Sequence, residues 1–125
     1  MTPRTVLIVD DDHSIREVAA MSLGRVGGWQ VVTAHHGAEG LEQTCRHHPD
    51  AVLLDVMMPG MDGIATFTRI REDPETADIP VILLTAKISP GGRQEWDGLP
   101  VAGVISKPFD PMALPRQIAE LLGWD

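Results

Sequence analysis

Four short runs of apolar residues, each followed at once by polar side chains, constrain the fold of this chain more than any other feature. The runs are Val6–Val9, Ala51–Leu54, Val81–Leu84 and Val101–Ile105. Runs of this length without polar alternation are typical of strands buried on both faces, as in parallel sheets. A fifth, shorter strand is predicted over Trp29–Ala34.

Segments with the apolar spacing of helices lie between these strands. Ser14 and Glu17 fit a capping box at the start of the first helix, in which each side chain satisfies a free amide of the first turn. Gly27-Gly28 is predicted to end this helix, and a second helix is predicted to end before Pro49.

The last two helices carry residues that disturb them. Residues 88–98 contain Pro90-Gly91-Gly92, so a helix there is predicted to be short, over Arg93 to Gly98. Asp110 is predicted to cap the last helix, with Pro111 at its first position. Pro115 lies four residues further on and predicts an irregular first turn.

Five strands alternating with five helices predict an α/β three-layer sandwich, a parallel sheet with helices on both faces. The chain has 125 residues, of which 43% are hydrophobic and 22% charged. This composition and length are those of one globular domain, and we expect a single domain over residues 1–125 without an output domain.

Charge and hydropathy exclude several classes of protein. A net charge of −8 and a pI near 4.9 argue against direct binding to nucleic acid. The apolar runs are far shorter than a membrane span, and no signal peptide pattern is visible. Cys45 is the single cysteine, so a disulfide framework is excluded and a cytoplasmic location is expected.

The residues at the strand ends indicate a chemistry. Asp10 and Asp11, Asp55, Thr85 and Lys107 each follow or end a predicted strand, and ligands of such sheets bind at the carboxyl ends of strands. Clustered carboxylates without His or Cys suit a hard cation such as Mg²⁺. A hydroxyl and an ammonium beside them suit phosphoryl oxygens, so the set predicts phosphoryl transfer with one carboxylate as nucleophile.

Simpler interpretations apply to some of these residues. The three successive aspartates could by themselves form a solvated turn that caps the next helix, and Asp12 is interpreted as a surface carboxylate. The pairs His35-His36 and His47-His48 lack the spacing of known zinc sites, so a zinc site is rejected.

Four segments in order resemble the motifs of the response-regulator receiver domain of two-component signalling. They are Val6–Asp11 (VLIVDD), Val52–Gly63 (VLLDVMMPGMDG), Val81–Ala86 (VILLTA) and Ser106–Phe109 (SKPF). Their spacings along the chain also agree with that family. The resemblance, rather than the residue pattern, implies a flavodoxin-like fold with strand order 2-1-3-4-5.

The resemblance also implies a role for each site residue. Asp55 would accept a phosphoryl group from a kinase phosphohistidine, and Thr85 and Lys107 would bind phosphoryl oxygens. Asp11, Asp55 and the carbonyl of Met57 would ligate Mg²⁺, with Asp10 acting through a water. The bond between Lys107 and Pro108 would be cis.

The implied protein is a phosphorylation switch that catalyses only its own phosphoryl transfer and dephosphorylation, and is otherwise not an enzyme. Its expected partners are a sensor histidine kinase or phosphotransfer protein and a downstream protein target or output domain. A phosphorylation-dependent dimer is a further candidate, whereas membrane insertion is not expected. Met57 and Lys87 would flank the path of the water that removes the phosphoryl group.

Two departures and two alternatives accompany this interpretation. Val104 stands where receivers often have Tyr or Phe, and Pro90-Gly91-Gly92 interrupt the helix within 88–98. The sequence therefore does not indicate how a signal would pass from the site to a partner. A small Mg²⁺-dependent phosphatase of the haloacid-dehalogenase type also uses Asp, Thr and Lys, but with the nucleophile on the first strand. A binding module that has lost phosphorylation is the other alternative.

Overall fold

The structure is a computed structural model that describes residues 3–86, 94 and 96–124. Short strands and helices alternate along the chain, as the apolar runs predicted. In chain order they are β1 (Thr5–Val9), α1 (His13–Met21), β2 (Gln30–Ala34), α2 (Gly37–His47), β3 (Ala51–Asp55), α3 (Gly63–Glu72), β4 (Val81–Thr85), β5 (Gly103–Ser106) and α4 (Leu114–Leu122).

The five strands form one parallel sheet in the order β2-β1-β3-β4-β5. This confirms both the predicted parallel sheet and the strand order that the family resemblance implied. All residues of β3 and β4 are buried, which is the reason these strands have no polar alternation.

Alternate residues of each strand face two separate apolar layers, because successive strand side chains point to opposite faces. On one face, residues such as Ile8 and Leu53 pack with Leu23 and with Leu114 and Ile118 of α4. On the other face, the strands pack against α2 and α3, with Phe67 and Ile70 of α3 in the core. The three-layer sandwich is therefore confirmed.

The predicted number of five helices is not met within the described part of the chain, which contains four α-helices. Residues 87–93 and Glu95 lie outside the described residues, so two residues of the predicted helix over Arg93 to Gly98, Arg93 and Glu95, are not described. Trp96–Gly98 form a turn. No described helix has the length and apolar character needed to cross a membrane.

The first helix begins earlier than the capping box predicted. Asp12 has extended backbone angles and its carboxylate accepts a hydrogen bond from the amide of Ile15 at 3.1 Å. Ser14 is already inside α1, so it cannot take the extended conformation of an N-cap. The capping box was wrong, and Asp12 is a cap rather than only a surface carboxylate. After Met21 the helix widens into a π-helical turn over Ser22–Val26 that ends at Gly27.

The last helix begins later than predicted. The Asp110 carboxylate accepts from the amide of Met112 at 2.9 Å, and a turn separates it from Leu114, where α4 starts. Pro115 lies in the first turn of α4, where a missing amide proton costs nothing because first-turn amides have no partner within the helix. The proline that predicted an irregular turn therefore marks the start of the helix.

Candidate functional site

The ends of β1 and β3 bring a group of carboxylates together. Oxygens of Asp10, Asp11 and Asp55 all lie within 4.8 Å of one another. Asp10 and Asp55 are buried, whereas Asp11 is exposed. The amide of Asp10 donates to the carbonyl of Ala34 at 3.1 Å, which extends the β1–β2 pairing by one residue and fixes where the acidic cluster starts.

The cation of the site comes from the end of β5. Lys107 Nζ lies 2.7 Å from Asp10 Oδ2 and 3.2 Å from Asp55 Oδ1. The amide of Lys107 donates to the carbonyl of Thr85 at 2.8 Å, which holds the start of the loop against β4. The Lys107–Pro108 bond is cis, as the resemblance implied.

The electrostatics of the cluster are those of charges crowded away from water. Burial, and then the neighbouring Asp10 carboxylate, raise the pKa of Asp55 to about 6 against the opposing effect of Lys107. Burial alone would lower the pKa of Lys107, but its contacts with Asp10 and Asp55 outweigh this and raise it. The ammonium therefore stays charged and only partly compensates the carboxylates.

Thr85 ends β4 and is buried. It pairs in register with Ser106 of β5, so it lies on the strand between Asp55 and Lys107 at the same edge of the sheet. This edge position is the one that the sequence predicted for the hydroxyl.

The loop after β3 is shaped by two close contacts. The amide of Met57 donates to Asp55 Oδ1 at 3.2 Å, and the Met57 side chain is 56% exposed. A Cβ at Gly63 would clash with the carbonyl oxygen of Asp55, so only glycine lets α3 start this close to the phosphoacceptor candidate. Gly63 therefore has a packing role at the site.

The donor set fits a hard divalent cation. Three carboxylates at these distances repel one another, and one ammonium leaves net negative charge. Oxygen donors of this kind are the ligands that Mg²⁺ prefers. The cluster can therefore bind a divalent cation. Such a cation and the Lys107 ammonium would together place positive charge beside a phosphoryl group.

The histidine pairs have local contacts of their own. His36 Nδ1 accepts from the amide of Glu39 at 3.0 Å and so caps α2. His35 Nδ1 lies 2.6 Å from a carboxylate oxygen of Glu39. His48 ends α2 with a positive φ of 45°.

Sequence reasoning missed one residue beside the site. Arg16 Nη1 donates to the main-chain carbonyl of Asp10 at 2.8 Å. A basic residue one helical turn after an N-cap has no sequence signature for such a contact, because the bond depends on how α1 lies against the end of β1. Val104, which replaces the usual aromatic residue, pairs with Leu83 and packs against the core.

Comparisons with known proteins agree on one family. The family model described as "Response regulator receiver domain" matches residues 6–119. The phosphate regulon transcriptional regulatory protein PhoB of Pseudomonas aeruginosa is 34% identical over 122 residues, which are 98% of this chain and 53% of that protein. Response regulator MprA of Mycobacterium ulcerans is 38% identical over 117 residues, covering 94% of this chain and 46% of that protein.

Solved structures give the same result. The chemotaxis protein CheY4 of Vibrio cholerae matches with a TM-score of 0.87 and 31% identity over 96% of this chain and 99% of that chain. The N-terminal domain of a response regulator receiver protein from Methanoculleus marisnigri matches with a TM-score of 0.76 and 41% identity over 98% of both chains. The chain spans about half the length of the curated relatives it matches.

Proposed function

This chain belongs to the response regulator receiver domain family of two-component systems, and from that premise we propose that it is a signalling switch phosphorylated on Asp55. The reaction requires Mg²⁺, and the phosphorylated form changes its contacts with other proteins. The observation that carries the proposal is the buried Asp55 carboxylate, which lies within 4.8 Å of the Asp10 and Asp11 oxygens and has the Lys107 ammonium at 3.2 Å.

The chemistry needs Asp55 as a nucleophile. A carboxylate oxygen of Asp55 attacks the phosphorus of the donor's phosphohistidine while the P–N bond breaks, so an acyl phosphate forms and the imidazole leaves. With a pKa raised to about 6, Asp55 is mostly ionised at neutral pH and can attack. Lys107 and Thr85 then bind the phosphoryl oxygens and compensate their charge.

Asp11, Asp55 and the carbonyl of Met57 would hold Mg²⁺ directly, and Asp10 would act through a water. When bound, Mg²⁺ offsets the combined negative charge of the carboxylates and the phosphoryl group. Asp10 suits an indirect role, because its carboxylate already contacts Lys107 at 2.7 Å and the Asp12 amide at 2.9 Å.

The proposed role makes the chain a phosphoacceptor that catalyses its own phosphorylation and dephosphorylation, not an enzyme that turns over a free substrate. Its donor would be a sensor histidine kinase or phosphotransfer protein in the cytoplasm. Its target would be a protein partner, an output domain or a second phosphorylated copy, without direct contact to nucleic acid. We further propose that residues 1–125 form a single receiver domain.

Intact mass spectrometry after incubation with Mg²⁺ and acetyl phosphate tests the proposal. We expect a gain of one phosphoryl group that is absent in Asp55→Asn and in the presence of a chelator. Asp78→Asn is the matched control, because Asp78 is exposed, and it should be phosphorylated like the wild type. Failure of the wild-type protein to gain mass would contradict the proposal. Catalytic turnover of a small phosphate ester would instead support a phosphatase.

Asp11→Ala tests whether metal binding and phosphorylation share residues. We expect this variant to lose both Mg²⁺ binding and phosphoryl uptake while staying folded, because the change removes a repelling carboxylate. Asp12→Ala is the matched control, since Asp12 caps α1 and is not a member of the cluster. Unchanged Mg²⁺ affinity in Asp11→Ala, measured by isothermal titration calorimetry, would show that the ligand assignment is wrong.

A further inference from the structure

We propose that Arg16 is a positioning residue of this site, which orients the Asp10–Asp11 peptide so that the Asp11 carboxylate faces the cation. The inference rests on the proposed function, because it concerns how the Mg²⁺ ligands are held. Arg16 is half-buried in the second turn of α1, and its side chain reaches back over the start of the helix to the end of β1.

The carbonyl that Arg16 contacts lies beyond the regular sheet. The last pairs of β1 in the sheet are Val9 with Ala34 and Val9 with Leu54. The Asp10 carbonyl is therefore one residue past the strand, where the sheet no longer determines the peptide orientation. Arg16 Nη1 donates to this carbonyl at 2.8 Å, which is a short bond from a charged donor and so among the stronger kinds.

Asp11 depends on that bond more than the other two carboxylates do. The side chains of Asp10 and Asp55 both contact Lys107, and each also accepts from a main-chain amide nearby. Within the described residues, the structure gives no such contact for Asp11, which is exposed. Because a peptide unit is planar, holding the Asp10 carbonyl also holds the Asp11 amide and limits where the Asp11 side chain can point.

A second contact holds the guanidinium itself. Arg16 Nη2 lies 3.2 Å from Nδ1 of His13, and Nε2 of His13 lies 3.2 Å from Glu17. The guanidinium donates to Nδ1 when that nitrogen carries the lone pair. Arg16 is thus held through two separate nitrogens of its planar guanidinium, a geometry that the single nitrogen of an ammonium does not reproduce.

Positioning and charge make opposite predictions for Mg²⁺ affinity. If Arg16 acted only through its charge, removing it would make the site more negative and would strengthen Mg²⁺ binding. If Arg16 positions Asp11, removing it lets the ligand move away and weakens binding. Residues that orient metal ligands typically contribute a factor of about 10 to 100 in metal affinity.

Calorimetric Mg²⁺ titration of the wild type, Arg16→Ala, Arg16→Lys and Arg46→Ala tests this inference. We expect the Mg²⁺ dissociation constant to rise about tenfold in Arg16→Ala, and to rise by a smaller factor in Arg16→Lys, which keeps the charge but loses the two-nitrogen contact. Arg46→Ala is the matched control, because Arg46 is exposed in the last turn of α2. It removes the same charge and should bind Mg²⁺ like the wild type.

The amide NMR spectrum of each metal-free variant provides the second measurement. We expect shifts in Arg16→Ala to centre on Asp11 and Asp12, with the rest of the spectrum unchanged, as a local change in peptide orientation requires. Wild-type or tighter Mg²⁺ binding by Arg16→Ala would overturn the inference while leaving the proposed function intact. Absence of Mg²⁺ binding by the wild-type protein would overturn both.

Discussion

At the scale of single residues, the site is a balance between carboxylates that repel one another and one ammonium that holds them. Asp55 is buried beside Asp10, and its pKa is raised to about 6 because burial and the Asp10 charge both disfavour the ionised carboxylate. Lys107 reduces the repulsion by contacting both side chains. The carboxylates repel one another, and a bound cation would relieve that repulsion.

We expect Asp55→Asn to stabilise the metal-free protein by about 1–2 kcal/mol at pH 7. The folded pKa lies above the unfolded value of 3.8, so the folded protein binds more protons between pH 3.8 and about 6. This carboxyl therefore lowers stability as the pH rises through that range. The difference between variant and wild type should grow from about pH 4 to pH 6 and then level off.

Urea denaturation in the presence of a chelator measures this difference. Asp78→Asn is the matched control, because it removes an exposed carboxylate and should change stability by less than about 0.5 kcal/mol. A destabilised Asp55→Asn, or a difference that does not depend on pH, would contradict the assignment of repulsion at this residue.

Lys107→Ala should weaken the response to phosphorylation more than it weakens Mg²⁺ binding. Removing the ammonium raises the local negative potential, which favours the cation, but it also removes the group that would contact a phosphoryl oxygen. The comparison is made by NMR, as Mg²⁺ titration and as shifts upon phosphorylation. Lys107→Arg keeps the charge and should retain part of the response. A normal phosphorylation-dependent shift in Lys107→Ala would show that the assigned role is wrong.

At the scale of elements, the start of α1 follows the chain's exit from the sheet rather than the best local motif. Ser14 and Glu17 have the right spacing for a capping box, but β1 ends at Val9 and the chain turns at once. Asp12 then has the extended backbone that an N-cap needs, and its carboxylate reaches the amide of Ile15. In α4, too, the start differs from the one that local residues predicted, since it lies at Leu114 instead of Pro111.

Asp12→Ala should lower the free energy of unfolding by about 1 kcal/mol, because it leaves a first-turn amide of α1 without its partner. Ser14→Ala is the matched variant and should change stability by less than about 0.5 kcal/mol, since Ser14 is exposed within the helix. Both values come from urea denaturation. Equal losses of stability in the two variants, or a larger loss in Ser14→Ala, would show that Ser14 rather than Asp12 is the N-cap of α1.

At the scale of the whole molecule, five parallel strands deliver their polar ends to one edge of the sheet. Residues distant in sequence thereby share a site, as Lys107 and Asp10 do at 2.7 Å. Val104 pairs with Leu83 of β4 at the position where receivers often have Tyr or Phe, so no aromatic ring at this position can relay a signal. The lifetime of the proposed aspartyl phosphate is a further property of the whole molecule, because it depends on the side chains that flank the path of the attacking water.

We predict a long-lived aspartyl phosphate. Hydrolysis needs a water held in line with the phosphorus, and neither the thioether of Met57 nor the ammonium of Lys87 accepts its protons well. Met57 is 56% exposed beside Asp55, and Lys87 lies outside the described residues. Met57→Asn combined with Lys87→Glu should therefore speed the loss of the phosphoryl group severalfold.

The decay rate of the phosphorylated protein after donor removal measures this effect. Met21→Asn is the control for Met57, because Met21 is 58% exposed on α1 and should leave the rate unchanged. An equal or slower decay in the double variant would refute the explanation from these two side chains.

The apolar runs and the polar residues that end them were enough to predict the parallel α/β class and which side chains lie at the carboxyl ends of the strands. Continuous apolar runs of strand length are stable only when both sheet faces are covered. Their polar ends must then share one edge, which is the reason Asp10, Asp55, Thr85 and Lys107 could be grouped from the sequence. Strand order came from a family resemblance and was confirmed.

The interactions that depend on distances across the sheet could be identified only in the folded chain. The raised pKa of Asp55 requires Asp10 and burial together, and the bond from Arg16 to the Asp10 carbonyl requires α1 to pack against the end of β1. Neither is encoded in local spacing, because each arises between groups whose positions are set by strand register and helix packing. The choice of Asp12 over Ser14 as N-cap has the same origin, since the backbone that leaves β1 selects the residue that is extended.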